Sequence, residues 1–296
     1  MPKSKKLPKS FAGWLLFILL SVIWGSSFIL MKAGMQALSA YQVATVRVLT
    51  AAVILLPFAA KAIKNIEKGK ISYVIFSGLF GSFFPAYLYC IAETRIDSSL
   101  AAMLNSLTPL FTIIVGVSFF QFKASAKKII GVVIGFTGLV LLLFATKEKI
   151  YVNDIFYSLL VVIATVSYAL NVNIVSRYLH NTPSLQIASL AFSFLLVPAL
   201  LILIATGYFD LSLFDKAYLT STLAAATLGI IGTAVASVLF YMLVKKEGPL
   251  FSSLVTYGIP VIAVVWGFIY DERITLAEIG CLAIILCGVW IVNISK

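Results

Sequence analysis

Apolar residues run along this chain in long stretches that are separated by short polar gaps. A helix needs about 20 apolar residues to cross the hydrocarbon core of a bilayer, where only internally hydrogen-bonded backbone is tolerated. Ten stretches reach or approach that length, and we predict a transmembrane helix in each of them: 11–31, 41–60, 72–92, 98–120, 129–145, 155–174, 184–205, 218–244, 250–270 and 275–294. The pattern therefore predicts an all-α integral membrane protein.

Composition and charge support this interpretation. Hydrophobic residues make up 61% of the 296 residues and charged residues 11%, whereas soluble domains carry about 25% charged residues. The net charge of +11 comes from Lys and Arg in the gaps, most of them in alternate gaps that include the N-terminal segment. Because cytoplasmic loops accumulate these residues, we predict that both termini are cytoplasmic, and we expect no nucleic-acid partner.

The two halves of the sequence resemble each other. Segment 98–109 aligns with 249–260 and pairs Pro109 with Pro260, while Gly81 matches Gly232 at the same offset. Segment 41–44 likewise resembles 185–188. We therefore predict a first repeat over 1–147 and a second over 148–296, each with five helices. An odd number of helices per repeat forces opposite orientations in the membrane, which is typical of transporters with a binding site near the midplane.

Several short motifs together resemble one known family. They are Trp24-Gly25-Ser26-Ser27-Phe28, Arg47, Gly248-Pro249, Pro260 and Asp271-Glu272-Arg273. This combination resembles the EamA-type branch of the drug/metabolite transporter superfamily along essentially the whole chain. The resemblance implies ten helices in two inverted repeats around a central cavity, with amino acids or related metabolites as cargo. The family's Gly-Glu after the fourth helix of each repeat appears as Asp271-Glu272 in the second copy, but as Phe120-Gln121 in the first.

We therefore predict a secondary transporter in the cell (inner or plasma) membrane, an exporter of small organic metabolites such as amino acids or related amphipathic compounds. It would work by alternating access around the central cavity. No Asp or Glu lies deep in a predicted helix, which disfavours proton antiport through a central acid. No catalytic triad, Walker loop or metal cluster is recognisable, so we expect no enzymatic activity and no cofactor. Two alternatives stay open: a lipid-acting intramembrane enzyme, with His180 and Arg177 as the only weak candidates, and a non-transporting scaffold.

Candidate substrate contacts are polar or aromatic residues inside the predicted helices, because such groups must face protein or a water-filled cavity. They are Trp24, Tyr87, Asn105, Tyr168, Asn171 and Tyr257. Trp24 and Tyr168 are matched between the repeats. For Asn105 the alternative is a hydrogen bond between helices, and for the aromatic residues it is ordinary packing.

Three further features concern the framework. Pro109 and Pro260, predicted in the middle of their helices, would free a backbone carbonyl and act as hinges or cavity walls, or as plain structural kinks. Arg47 is predicted to form a structural ion pair with Glu93, with Asp97 or a substrate carboxylate as alternative partners. The glycine spacing at 131, 135 and 138 would serve packing within the bundle or a homodimer.

Overall fold

The computed structural model of the chain describes residues 11–96, 98–145, 155–269 and 275–294. Within these ranges each of the ten predicted stretches is helical. The helices of the first half are α1 Phe11–Gly34, α2 Ala40–Asn65, α3 Ile71–Gly78, α4 Phe84–Ala92, α5 Ser98–Asn105, α6 Thr108–Phe120 and α7 Ala126–Ala145. Those of the second half are α8 Ile155–Tyr178, α9 Ser184–Ala205, α10 Lys216–Thr227, α11 Ala236–Glu247, α12 Pro249–Ser253, α13 Val255–Ile269 and α14 Leu276–Ile294.

Length and apolar composition identify this helical structure as a membrane protein. Six helical segments are long and apolar enough to cross a bilayer: Phe11–Gly34, Ala40–Asn65, Lys68–Ala92, Ile155–Tyr178, Ser184–Ala205 and Lys216–Glu247. Large apolar side chains also point outward, as Phe119 and Phe144 do at 75% and 77% exposure. Such a surface would be unstable in water and is suited to lipid, so the predicted fold class is confirmed.

A wide π-helical turn interrupts one helix in each half. Leu79–Phe83 joins α3 to α4, and Leu228–Val235 joins α10 to α11. In the first half Pro85 lies two residues after the turn and cannot donate a backbone hydrogen bond, which weakens the helical hydrogen-bond pattern there. Gly81 and Gly232 lie inside these turns. Turns of this kind are frequently found at functional sites, and the sequence pattern did not predict them.

The stretches predicted as helices 98–120 and 250–270 are each broken into two pieces. The first breaks between α5 and α6, and the second at Leu254 between α12 and α13. Pro109 consequently lies in the first turn of α6, where its missing N–H costs nothing because that group has no partner in a helix. Pro260 lies inside α13. The prediction of two equivalent mid-helix prolines is therefore wrong for Pro109, because the preceding helix ends before it.

Helices α2 and α9 pack antiparallel through two reciprocal hydrogen bonds. At one end Gln42 Nε2 donates to the Thr206 carbonyl (3.0 Å), and at the other end Gln186 Nε2 donates to the Ala62 carbonyl (2.8 Å). Gln42 and Gln186 occupy the same place in the two matched segments of sequence. A glutamine at the matched position of each half thus makes an equivalent hydrogen bond to the other half.

The glycines of α7 pack against α14 within the same chain. A Cβ added to Gly288 would lie 2.6 Å from the Gly131 carbonyl oxygen and 2.7 Å from the Gly135 Cα. A Cβ on Gly138 would meet the backbone of Ile285. Small residues let helix backbones approach in lipid. This stripe therefore joins two helices of one chain and gives no support to the homodimer.

Candidate functional site

A cavity with an empty volume of about 820 Å³, its mouth included, lies among helices of both halves. Aromatic side chains form one part of its wall: Trp24, Phe28, Tyr89, Tyr168, Phe240 and Tyr241. Small polar side chains and Arg47 form much of the rest: Ser27, Ser82, Asn105, Thr108, Asn171, Thr233, Ser237, Ser252, Ser253 and Thr256.

The two π-helical turns each bring a glycine against the opposite half. A Cβ on Gly81 would lie 2.6 Å from Asn171 Cγ, and a Cβ on Gly232 would lie 2.8 Å from Ser27 Oγ. Ser27 and Asn171 are separated by the same 144 residues as Gln42 and Gln186. The cavity wall is therefore built twice from matched positions, and glycine is the residue that allows the approach.

Asn171 is held by a buried hydrogen-bond network. The Ser77 hydroxyl donates to Asn171 Oδ1 (2.7 Å) and lies 3.0 Å from the Tyr241 hydroxyl. Both Asn171 and Tyr241 are almost fully buried. A buried amide with satisfied bonds is fixed in orientation, so Asn171 presents a defined polar group to the cavity.

Trp24 spans the cavity wall from α1 to the second π-helical turn. Its Nε1 donates to the Gly232 carbonyl (3.0 Å), and its ring packs on Phe240 at 5.1 Å between centroids. Its repeat partner Tyr168 packs on Tyr89 at 6.1 Å. Both members of the predicted aromatic pair therefore line the cavity.

Asn105 lies at the break between α5 and α6. The Thr108 hydroxyl donates to the Asn105 backbone carbonyl (2.6 Å) and lies 3.3 Å from its side-chain Oδ1. Ser106 donates to the Thr256 carbonyl (3.0 Å) beside the other helix break. The two helix breaks thus lie next to each other at the cavity. Hydroxyl groups there donate hydrogen bonds to backbone carbonyls near the breaks.

The structure gives Arg47 and Glu93 separate partners instead of the predicted ion pair. Arg47 Nε donates to Thr233 Oγ1 (2.7 Å). Glu93 follows the last residue of α4, and its Oε2 accepts from the Ser98 hydroxyl (3.0 Å). No ion pair joins the two residues in the described part of the chain, because Arg47 reaches across to the second half. Asp97, the other predicted partner, lies outside the described residues.

Glu93 is buried at 7% exposure, and its Oε1 has no hydrogen-bond partner among the described residues. Burial raises the pKa of this carboxyl to about 8, although the Ser98 hydroxyl and the positive charges of Lys32 and Arg47 act in the opposite direction. The folded protein therefore holds a proton at Glu93 that the unfolded chain releases near pH 4.5.

We expect this proton to make stability fall with rising pH. Between about pH 4.5 and pH 8 the folded state binds one more proton at Glu93 than the unfolded state, so the free energy of unfolding decreases as pH rises. Glu93→Gln should remove this slope and raise the melting temperature at pH 8. Thermal unfolding in detergent between pH 5 and pH 9 measures it, with exposed Glu67→Gln as the control. An unchanged pH slope in Glu93→Gln would contradict the expectation.

Tyr87 and Tyr257 are placed outside the cavity lining. The Tyr87 hydroxyl lies 2.8 Å from Thr45 Oγ1. Tyr257 is fully buried and donates to the Val132 carbonyl (3.0 Å), which attaches α13 to α7. Thr256 faces the cavity instead, because consecutive residues of a helix point about 100° apart. The helix is broken at Leu254, so regular helical periodicity across this stretch does not predict which of these two residues faces the cavity.

The sequence interpretation missed several lining residues, above all Ser27, Thr233 and Ser252. Small hydroxyl residues are common in membrane helices, so their identity alone carried no signal. The repeat could have identified Ser27, because the offset that pairs Trp24 with Tyr168 also pairs Ser27 with the predicted site residue Asn171. Within the described ranges no three His, Cys, Asp or Glu side chains come together as metal ligands.

Comparison with known proteins places this architecture among membrane transporters. The model of the EamA-like transporter family matches residues 11–144 and again 155–294. An uncharacterized transporter of Archaeoglobus fulgidus is 27% identical over 94% of this chain and 98% of its own length. The uncharacterized inner membrane transporter YedA of Escherichia coli K12 is 23% identical over 94% of this chain and 89% of its own. A crystal structure with 17% identity covers 96% of both chains at a TM-score of 0.71, which shows a shared fold.

Proposed function

Because this chain belongs to the EamA-like transporter family, we propose that it is a secondary transporter that moves small organic metabolites by alternating access of two inverted five-helix halves. The cavity carries this proposal. It lies between the halves, aromatic and small polar side chains line it, and matched positions of the two halves form its wall. Rocking of one half against the other would open such a cavity to each side in turn.

Reciprocal contacts support the inverted arrangement. Gln42 and Gln186 exchange equivalent hydrogen bonds between antiparallel helices. A Cβ on Gly78 would lie 3.1 Å from the Ala191 carbonyl, and one on Gly229 would lie 2.6 Å from the Arg47 carbonyl. Two halves related by a twofold axis in the membrane plane produce such pairs. We place the halves at 1–147 and 148–296, with ten spans and both termini in the cytoplasm.

The lining favours a small amphipathic substrate, such as an amino acid or a related compound. Aromatic rings offer apolar contact area, and hydroxyl and amide groups offer a few oriented hydrogen bonds. A phosphate dianion stripped of water would need several positive donors, whereas Arg47 is the one cation among the described lining residues. We propose export as the direction and the inner or plasma membrane as the location, as for the inner membrane relative.

The two alternatives lack comparable support. The enzyme hypothesis would use His180 with Arg177, and both side chains are exposed and outside the cavity lining. Arg177 Nη2 lies 3.5 Å from Gln121 Oε1, which gives it a structural contact and no reacting group. A scaffold would need no polar cavity between its halves, because burying polar groups around empty space costs free energy.

Flux into proteoliposomes tests the proposal. The purified protein should move radiolabelled amino acids or their analogues, and Asn105→Ala should reduce that flux about tenfold because a polar contact at the helix breaks is lost. Asn65→Ala is the matched control, since Asn65 is exposed at the end of α2. Equal flux for both variants at equal melting temperature would remove Asn105 from the site. Absence of flux across a broad metabolite panel would contradict transport itself.

A further inference from the structure

One positive charge stands in the cavity without a carboxylate opposite it. Arg47 lines the cavity from α2 and is half-buried, and none of the described lining residues is Asp or Glu. A guanidinium stays charged at any physiological pH and is costly to keep in an apolar environment unless it is paired. A group of opposite charge is therefore missing from the cavity.

The hydrogen bonds around Arg47 fix its direction and leave donors available. Its Nε donates to Thr233 Oγ1 (2.7 Å), and the Thr233 hydroxyl in turn donates to the Leu228 carbonyl (3.2 Å). Tyr168 also lies within hydrogen-bond reach of the guanidinium. Neutral oxygens orient the group but do not neutralise it. A guanidinium has five N–H donors, so these contacts leave room for a two-pronged anion.

Glu93, whose carboxyl interacts electrostatically with Arg47, cannot serve as the counter-ion. Glu93 is buried beyond the end of α4 and bonded to Ser98. Since burial holds its pKa near 8, it is mostly uncharged at neutral pH. The other titratable groups around Arg47 and Glu93 carry no negative charge at neutral pH. They are Lys32 on α1, Tyr89 and Cys90 on α4, and Tyr168 on α8.

We propose that Arg47 binds the carboxylate of the transported molecule. This inference rests on the proposed function, because the anion is identified with the cargo. The apolar part of the molecule would lie against Trp24 and Phe240, since Trp24 bonds the Gly232 carbonyl next to Thr233. Arg47 and Trp24 thus contact adjacent residues of one π-helical turn. An amine without a carboxylate would find no acidic partner among the described lining residues.

Binding to acids and to their uncharged amides tests this directly. The probes are 3-phenylpropanoate and benzoate, each compared with its uncharged carboxamide in thermal-shift titrations of the purified full chain. We expect the acids to stabilise the protein and the amides to bind about tenfold to hundredfold more weakly, as for loss of a charged hydrogen bond. Stabilisation by no acid, or equal stabilisation by acids and amides, would overturn the inference.

Variants then assign the effect to Arg47. Arg47→Gln should weaken acid binding by the same factor and leave amide binding unchanged, while Arg47→Lys should be intermediate because it keeps the charge and loses the planar fork. Arg177→Gln is the control, since it makes the same change at an exposed position. Unchanged acid binding in Arg47→Gln would overturn the assignment. If that variant does not fold, the comparison of acids with amides in the unaltered protein still decides.

Failure of this inference is distinguishable from failure of the transport proposal. Acid binding that depends on Arg47, without flux in liposomes, would contradict transport and keep the anion site. Flux of carboxylate-bearing solutes that is unaffected by Arg47→Gln would keep transport and overturn the anion site.

Discussion

Replacing Gly288 by alanine is expected to lower the melting temperature of the detergent-solubilised protein by several degrees. The added Cβ would lie 2.6 Å from the Gly131 carbonyl oxygen and 2.7 Å from the Gly135 Cα. These are backbone atoms, which cannot rotate away, so α7 and α14 would have to move apart. Overpacking of this kind costs about 1–3 kcal/mol, and lost contact along the two helices adds to it.

Gly280→Ala provides the matched control on the same helix. A Cβ at Gly280 would meet nothing within 4 Å, so the melting temperature should stay the same or rise slightly, because alanine favours helix over glycine. Unfolding followed with a thiol-reactive dye or by intrinsic fluorescence measures both variants. Equal shifts would show that helix propensity, and not the contact with α7, governs the response.

The fold could be predicted because its causes are distributed along the whole chain. Hydrophobic length alone locates helical segments, and the requirement for internal hydrogen bonding in lipid leaves few other structures. The match of segment 41–44 with 185–188 also contained the two glutamines that join the halves, although the sequence interpretation did not predict that contact. Gln42 and Gln186, which lie in those segments, form the reciprocal bonds that join α2 to α9.

The site was harder to predict because it depends on local departures from regular helix. Neither π-helical turn leaves a hydrophobic signature, and both redirect the residues that follow them. Tyr257 was predicted at the cavity, yet the break at Leu254 turns it towards Val132. Arg47 was predicted to pair with Glu93. Its Nε instead donates to Thr233, which lies in the π-helical turn Leu228–Val235. Side chains that depend on one unusual turn cannot be placed from periodicity.

Gly81→Ala is expected to reduce flux by at least about tenfold while the protein stays folded. The new Cβ would lie 2.6 Å from Asn171 Cγ, and Asn171 cannot move away without breaking its bond to Ser77. The change therefore narrows the cavity and displaces a fixed polar group at one point. Gly69→Ala is the control, because a Cβ there meets nothing within 4 Å and Gly69 lies in an exposed turn. Liposome flux with parallel melting curves separates blockage from unfolding.

Gly232, which matches Gly81 in the other half, allows a second test of the same expectation. Gly232→Ala should also reduce flux, because its Cβ would lie 2.8 Å from Ser27 Oγ but 3.8 Å from Ser27 Cβ. Removing that hydroxyl with Ser27→Ala should therefore restore much of the flux of Gly232→Ala. The other close contact of the new Cβ, 2.9 Å to Leu228 Cδ1, is with the end of a flexible side chain that can shift. Contacting residues are expected to be coupled in this way. If Ser27→Ala restores nothing, the loss comes from the helical turn itself, and close approach of the two halves at Gly232 does not limit transport.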